Sequence, residues 1–491
     1  MNCGGIFLKK LLKKFLCAFL GAGLTISSAY ACEFKTPSGI SSTNIESQVD
    51  EFMSKFVGKK VPGAQVSISK NGNVILSKGY GKADIEKEIP VTRDTTFNYA
   101  SVSKLFIWTA AMQLNEQGNL DLECDIKKYL PENYSLKTNF QQPVTFENLM
   151  NHNAGFEAYW SHHGSSSDFN SLGEATSKCY SGNQCFEPGK FQGYSNYGAN
   201  LAAFIIENIS GVPFYKYVKE NIFKPCHMNV CYPERDPVKS VVQNKAVGYN
   251  GGFKKTSVYT GDWLYASGSV IGSADELSKF ASALMPTEGK KSPLFKKSET
   301  LEKMLSVSYS PTGEELFSVH HGFWGTDGNY RGLGHTGCVE GMVSHFLMVP
   351  EENFSVSVLV NGENGWDITY GLAWLLTGND YQKFDDNSKF PDSKLFEGEY
   401  VHARTRFMNR KNPFEIMKVE RIDKNTIQVK TGNISHKYIQ IRPYLFENIT
   451  AKCGAALKSK IYFKTQGDKV IKGITFKNDL IPLSELNRFI K

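Results

Sequence analysis

Ser101-Val-Ser-Lys104 runs directly into Leu105-Phe-Ile-Trp-Thr-Ala-Ala-Met-Gln-Leu114. So apolar a stretch, with no turn residue in it, reads as a buried helix around which the core must form. A serine and a lysine three residues apart on a helix lie one turn apart on the same face. The amine can then reach the hydroxyl. If it is desolvated its pKa falls, and it can take the serine proton. The helix start also favours negative charge developing at Ser101.

The same four-residue pattern occurs at Ser67-Ile-Ser-Lys70. There it lies in the alternating run Ala64 to Ser69, followed by Asn71-Gly72 and Val74-Ile-Leu76, which predicts a hairpin with a tight turn. On a strand, residues i and i+3 point to opposite faces. Ser67 and Lys70 are therefore excluded as a catalytic pair, and helix context singles out Ser101 and Lys104.

Two further segments follow. Tyr194-Ser-Asn196 lies between Phe186-Glu-Pro-Gly189 and an apolar run from Leu201 to Ile209, and His335-Thr-Gly337 precedes the strand-like Val343 to Val349. Ser-x-x-Lys, Tyr-x-Asn and His-Thr-Gly in this order resemble the serine β-lactamase and penicillin-binding superfamily. The middle tyrosine is similar to the class C, D-Ala-D-Ala carboxypeptidase and esterase branch. Val61-Pro-Gly-Ala64, Gly79-Tyr-Gly81, Leu149 to Gly155, Ala266-Ser-Gly-Ser269 and Val358-Leu-Val-Asn361 extend the resemblance over roughly 45–378.

The resemblance implies roles for particular residues. Ser101 would be the nucleophile, with Lys104 and Tyr194 sharing the proton transfers as a coupled pair. Asn196 would bond Lys104 and a substrate amide. His335, Thr336, Gly337 and Cys338 would line the substrate side, with the backbone N–H of Cys338 completing an oxyanion hole. His335 stands where class C β-lactamases carry a lysine. It would face a substrate carboxylate and be charged only at mildly acid pH. His152 matches a family segment but reads as structural. No metal or other cofactor is expected.

Residues 1–31 read as a signal peptide: Lys9, Lys10, Lys13 and Lys14, then the apolar stretch Phe15 to Ile26, then Ala29-Tyr-Ala31. That apolar stretch is shorter than the roughly 20 residues that span a bilayer. Its removal takes away four lysines and no acid, lowering the formal charge from +7 to about +3. A mildly basic chain with no basic–aromatic stripe argues against a nucleic-acid partner. Membrane attachment enters only if Cys32 is lipidated. In an exported protein, Cys179/Cys185 and Cys226/Cys231 are closely spaced enough to form small disulfide loops.

The expected architecture is α+β. One antiparallel sheet would be built from both ends of a hydrolase domain at 40–378, with a helical region against it. A polar linker at 379–393 would lead to a small all-β barrel at 394–491, resembling the lipocalin-like tails of some family members. The expected function is a periplasmic or secreted serine hydrolase acting through an acyl-enzyme on a D-alanyl peptide or a small ester or amide. Peptidoglycan peptides and β-lactams are the candidate partners. The alternatives are a class C-type β-lactamase and a catalytically silent penicillin-binding or sensor protein.

Overall fold

A computed structural model describes residues 33–136, 138–156, 171–178, 184–256, 265–328, 330–378, 384, 386–404, 416–452 and 456–486. The predicted leader therefore lies outside the described residues, as do Cys3, Cys17, Cys32, Cys179 and Cys453. Among the described residues, no helix is long and apolar enough to cross a membrane.

The first helix, α1 (Ile45–Ser54), leads into β1 (Gly63–Lys70) and β2 (Asn73–Asp84), joined at Asn71-Gly72 as the alternation predicts. Short strands β3 (Ile89–Pro90) and β4 (Phe97–Asn98) precede the buried helix α2 (Lys104–Glu116). The helical middle of the chain follows, interrupted by β5 (Ile271–Gly272). The sheet resumes with β6 (Val319–His320), β7 (Phe323–Trp324), β8 (Leu333–Val339), β9 (Met342–Val349) and β10 (Phe354–Val360). Its order is β3-β2-β1-β10-β9-β8-β7-β6, so both ends of this region meet where β1 pairs antiparallel with β10.

Alternation along the strands decides which helix each face carries. Ser67 on β1 donates to Asp275, and Phe346 on β9 packs on Phe280; both partners belong to the helix Ala274–Leu284. One residue away on β9, His345 points to the other face and bonds the Thr369 carbonyl of the helix Trp366–Thr377. The main core surrounds α2, whose residues 104–114 are all buried. A helix apolar on every side has no other stable place.

Beyond the sheet region lie β11 (Gly398–His402), β12 (Ile416–Arg421), β13 (Thr426–Thr431) and β14 (Ile434–Arg442), then β15 (Leu445–Asn448), β16 (Lys460–Gln466), β17 (Lys469–Thr475) and β18 (Asn478–Pro482). They close into an eight-stranded barrel filled by Phe396, Tyr400, Phe446 and Phe463. Closure leaves no free sheet edge.

The expected Cys226–Cys231 loop fails. Cys226 and Cys231 are free thiols rather than a disulfide loop. Cys226 packs into the main core, whereas Cys231 lies in a separate cluster with Val241 and Ile271, its backbone bridged to Ile271. Close spacing in sequence does not bring the two sulfurs together, because each serves as a small apolar side chain in its own layer. Burial pushes the Cys226 thiol up to about 12.

Candidate active site

The Ser101 turn is built from Asn98 onward. The Asn98 side-chain oxygen accepts from Ala100 N at 2.6 Å, and Ala100 sits in the left-handed region at φ 47. A non-glycine residue there costs on the order of 1 kcal/mol, held only because its surroundings over-determine it. They do so here. Tyr99 N donates to the Val270 carbonyl, Tyr99 Oη to the Ser273 carbonyl, and Ser344 Oγ to the Tyr99 carbonyl. A 3₁₀ turn, Ala100–Ser103, then hands the chain to α2 and leaves Ser101 part-exposed.

Lys104 is 0% exposed, and its Nζ donates to Ser101 Oγ at 3.1 Å and to the Ser267 carbonyl at 2.8 Å. Burial, and then the positive charges of Arg404 and Lys477, hold its pKa well below the usual lysine range. The Ser267 hydroxyl accepts from Asn200 Nδ2 at 2.7 Å, which fixes the lysine's second partner. Asn196 does not take that place. It opens the helix Asn196–Ser210, its backbone carbonyl accepts from Asn200, and its side-chain oxygen is buried without a partner.

Tyr194 is buried with its ring beside Lys104, whose Nζ lies 5.1 Å from the ring centre. Burial drives the phenol pKa upward, and the neighbouring Ser101 hydroxyl and Arg404 offset only part of that rise. His152 holds the ring from behind. Its centroid is 4.4 Å away, its plane stacks on Trp324, and its Nδ1 accepts from Ser195 N at 3.1 Å. That bond leaves the proton on Nε2 and makes His152 a positioning residue.

The strand β8 carries His335 to Cys338. A side chain at Gly337 would meet the Tyr99 carbonyl oxygen and Ser344 Oγ, each at 2.4 Å, so only glycine lets β8 lie against the Ser101 turn. Thr336 and Cys338 line the cavity in front of Ser101 and Tyr194; His335 does not. His335 is 1% exposed and donates from Nδ1 to the Thr336 carbonyl, leaving Nε2 as a buried acceptor. Burial and the charges of Lys477 and Lys104 hold its pKa well below 6.5. It is a neutral structural imidazole rather than the cation facing a carboxylate. Cys338 is exposed where it lines the cavity, yet the protein packed around it pushes its thiol up to about 11.

The far wall of this cavity, about 560 Å³, comes from the barrel and includes His402, Arg404, Phe476 and Lys477. The β17–β18 hairpin docks on the Tyr194 segment. Asn478 Oδ1 accepts from Tyr194 N at 3.2 Å, and Asp479 N donates to the Gln192 carbonyl at 2.8 Å. Asp479 is buried and paired with Lys472 at 2.6 Å. At the hairpin tip, Lys477 Nζ donates to Thr336 Oγ1 at 2.7 Å. Sequence reasoning missed Ser267, Arg404 and Lys477. One signal was present: Phe476-Lys477 form a two-residue hairpin loop, where Gly, Asn or Asp is the rule. Residues that break a local rule are where function is to be sought. Among the described residues, no three His, Cys, Asp or Glu side chains converge on a metal position.

This sheet, this turn and this serine–lysine pair define a β-lactamase-like fold, and the Beta-lactamase family model matches residues 47–374, so the chain belongs to that family. Protein flp of Staphylococcus aureus (strain N315) is 26% identical over 322 residues, which cover 64% of this chain and 63% of flp. The chain thus spans less than two thirds of that relative's length. Among solved structures, SurE with D-Leu superposes with a TM-score of 0.65 at 18% identity, over 90% of this chain and 99% of SurE. An octameric penicillin-binding protein homologue from Pyrococcus abyssi gives 0.57 at 22% identity, over 89% and 99%. A class C beta lactamase also gives 0.57, at 19% identity, but covers 68% of this chain.

Proposed function

We propose that this chain is an exported serine hydrolase that works through an acyl-enzyme on Ser101 and acts on a D-alanyl peptide or a small ester or amide. The observation that carries the proposal is the 3.1 Å contact from a fully buried Lys104 Nζ to Ser101 Oγ. Burial favours the uncharged form of both Lys104 and Tyr194. A neutral amine is the better base, and a neutral phenol is a proton donor.

The steps follow from those forms. Ser101 Oγ attacks the carbonyl carbon as its proton passes to Lys104 Nζ. The backbone N–H groups of Ser101 and Cys338 hold the developing oxyanion. The proton returns to the leaving group by way of Tyr194, and water then repeats the sequence to free Ser101. Export rests on the basic and apolar leader at 1–31.

The test is a time course with benzylpenicillin, reading intact protein mass and remaining drug together, alongside labelling by a serine-directed phosphonate. A lasting adduct on Ser101 marks a peptidase-like protein, and rapid drug loss a β-lactamase. Phosphonate label without any drug reaction marks an esterase or amidase. No label on the wild-type protein, or equal turnover by Ser101→Ala, would overturn the mechanism.

A further inference from the structure

The cavity holds a cationic wall that the proposed mechanism leaves unused. Lys477 reaches it from a hairpin tip whose backbone is strained, at φ 71. Its neighbour Phe476 packs edge-on against Trp324, with ring centroids 5.6 Å apart, and this pins the tip in the groove. The ammonium lies 5.7 Å from the Tyr194 ring centre, from which Lys104 Nζ is 5.1 Å and the Arg404 guanidinium carbon 4.9 Å away. Both ammonium groups thus lie within about 6 Å of the same ring centre.

Two facts make this lysine more than a wall. First, the position where the family pattern would place a cation is filled by His335, which is neutral and presents no N–H to the cavity. Thr336 Oγ1, the next polar atom along that strand, is where Lys477 bonds instead. Second, no carboxylate among the described residues pairs with Lys477. Asp327 acts on it only at longer range, against burial and the charge of Arg404. An ammonium has three donors, of which Thr336 uses one. Two remain for a ligand, and a charge buried among cations is stabilised most by an anion.

We propose that Lys477, carried into the groove by the barrel, is the cation that binds a substrate carboxylate, so the site takes acyl compounds that carry a free carboxylate beyond the scissile carbonyl. This inference rests on the serine-hydrolase reading for the identity of the scissile carbonyl, but not for the carboxylate contact itself. Lys477 is a specificity residue contributed by one part of the fold to the reaction centre of another.

The experiment separates the two claims. Calorimetry on full-length Ser101→Ala compares N-acetyl-D-alanyl-D-alanine with its C-terminal amide, so that binding is read without turnover. The acid is expected to bind about tenfold or more tighter than the amide, the usual scale for a charge-assisted contact. Adding Lys477→Met is expected to abolish that preference, and adding Lys477→Arg to retain most of it. An undiminished preference in the Lys477→Met background, or none in Ser101→Ala itself, overturns the role of Lys477. Tighter binding of both ligands after Lys477→Met also overturns it, since the lysine would then be a plug. Phosphonate labelling of the wild-type protein is read in parallel. If it fails, the nucleophile reading falls, while the acid-to-amide comparison still decides Lys477.

Discussion

Replacing Gly337 by alanine tests whether the site depends on how closely β8 approaches the Ser101 turn. The added Cβ would lie 2.4 Å from the Tyr99 carbonyl oxygen and from Ser344 Oγ, and 2.9 Å from Ala100 Cβ. The serine could rotate, but only by giving up its bond to that same carbonyl. The carbonyl cannot, because Tyr99 is tied through its N–H and its hydroxyl to the Val270–Ser273 segment. Restoring a contact of about 3 Å therefore requires β8 or the turn to move by at least roughly half an ångström. A displacement of about 1 Å in a catalytic constellation costs on the order of 100-fold in rate. Overpacking of this kind costs about 1–3 kcal/mol in stability. We expect Gly337→Ala to fold and to react with a serine-directed phosphonate on the order of 100-fold more slowly than wild type, read as a second-order rate constant. Gly268→Ala is the matched control, since nothing lies within 4 Å of its Cβ position. A Gly337→Ala rate within about threefold of wild type would refute the reasoning, because such contacts normally govern geometry at this scale.

Three further outcomes are expected. Lys477→Met should raise thermal stability at neutral pH. Lowering a lysine from 10.5 to about 7 corresponds to an upper limit of roughly 5 kcal/mol against folding, offset by about 1 kcal/mol for the lost Thr336 bond. The unfolded chain holds that proton more tightly between pH 7 and 10.5, so the penalty is full below about 7 and gone above 10.5. The titratable groups near the lysine are Arg404, Asp327, Lys104, Tyr194 and the imidazoles of His152, His335 and His345, and a melting-temperature gain that does not shrink with rising pH would count against this account. Asp479→Ala strands the buried Lys472 and removes an acceptor for Gln192 N, so urea unfolding should show a loss of about 3–5 kcal/mol; a change below about 1 kcal/mol would deny that this pair anchors the barrel. Cys226 and Cys231 should both react with iodoacetamide on denaturation without reductant, and protection of the two by mass spectrometry would restore the disulfide.

The sequence made the Ser101–Lys104 pair legible because an apolar run such as Leu105 to Leu114 leaves one structural choice, and alternation around Ser67 removes the rival pair. The hairpin at Asn71-Gly72 and the sheet built from both ends were legible for the same reason. His335 to Gly337 were harder. They read as a lead-in to a strand but form β8 itself, with glycines at 334 and 337 that lower strand propensity and are demanded by close backbone approach. Burial, not identity, decides the charge of His335, and a motif cannot report burial. Lys477 and Asn478 meet Thr336 and Tyr194 only through the register of a closed barrel, which no local pattern encodes.

The docking of the barrel also orders events in time. Tyr194 and the Asn478 that holds its backbone are 284 residues apart in the chain. At a synthesis rate of about 5–20 residues per second, the second half of that contact is made tens of seconds after the first. During that interval Ser101 and Lys104 can already be folded together, while the groove in front of them still lacks its cationic wall. A growing chain would thus carry a formed Ser101–Lys104 pair before its groove is complete, and the hairpin at residues 475–478 is the step that ends that period.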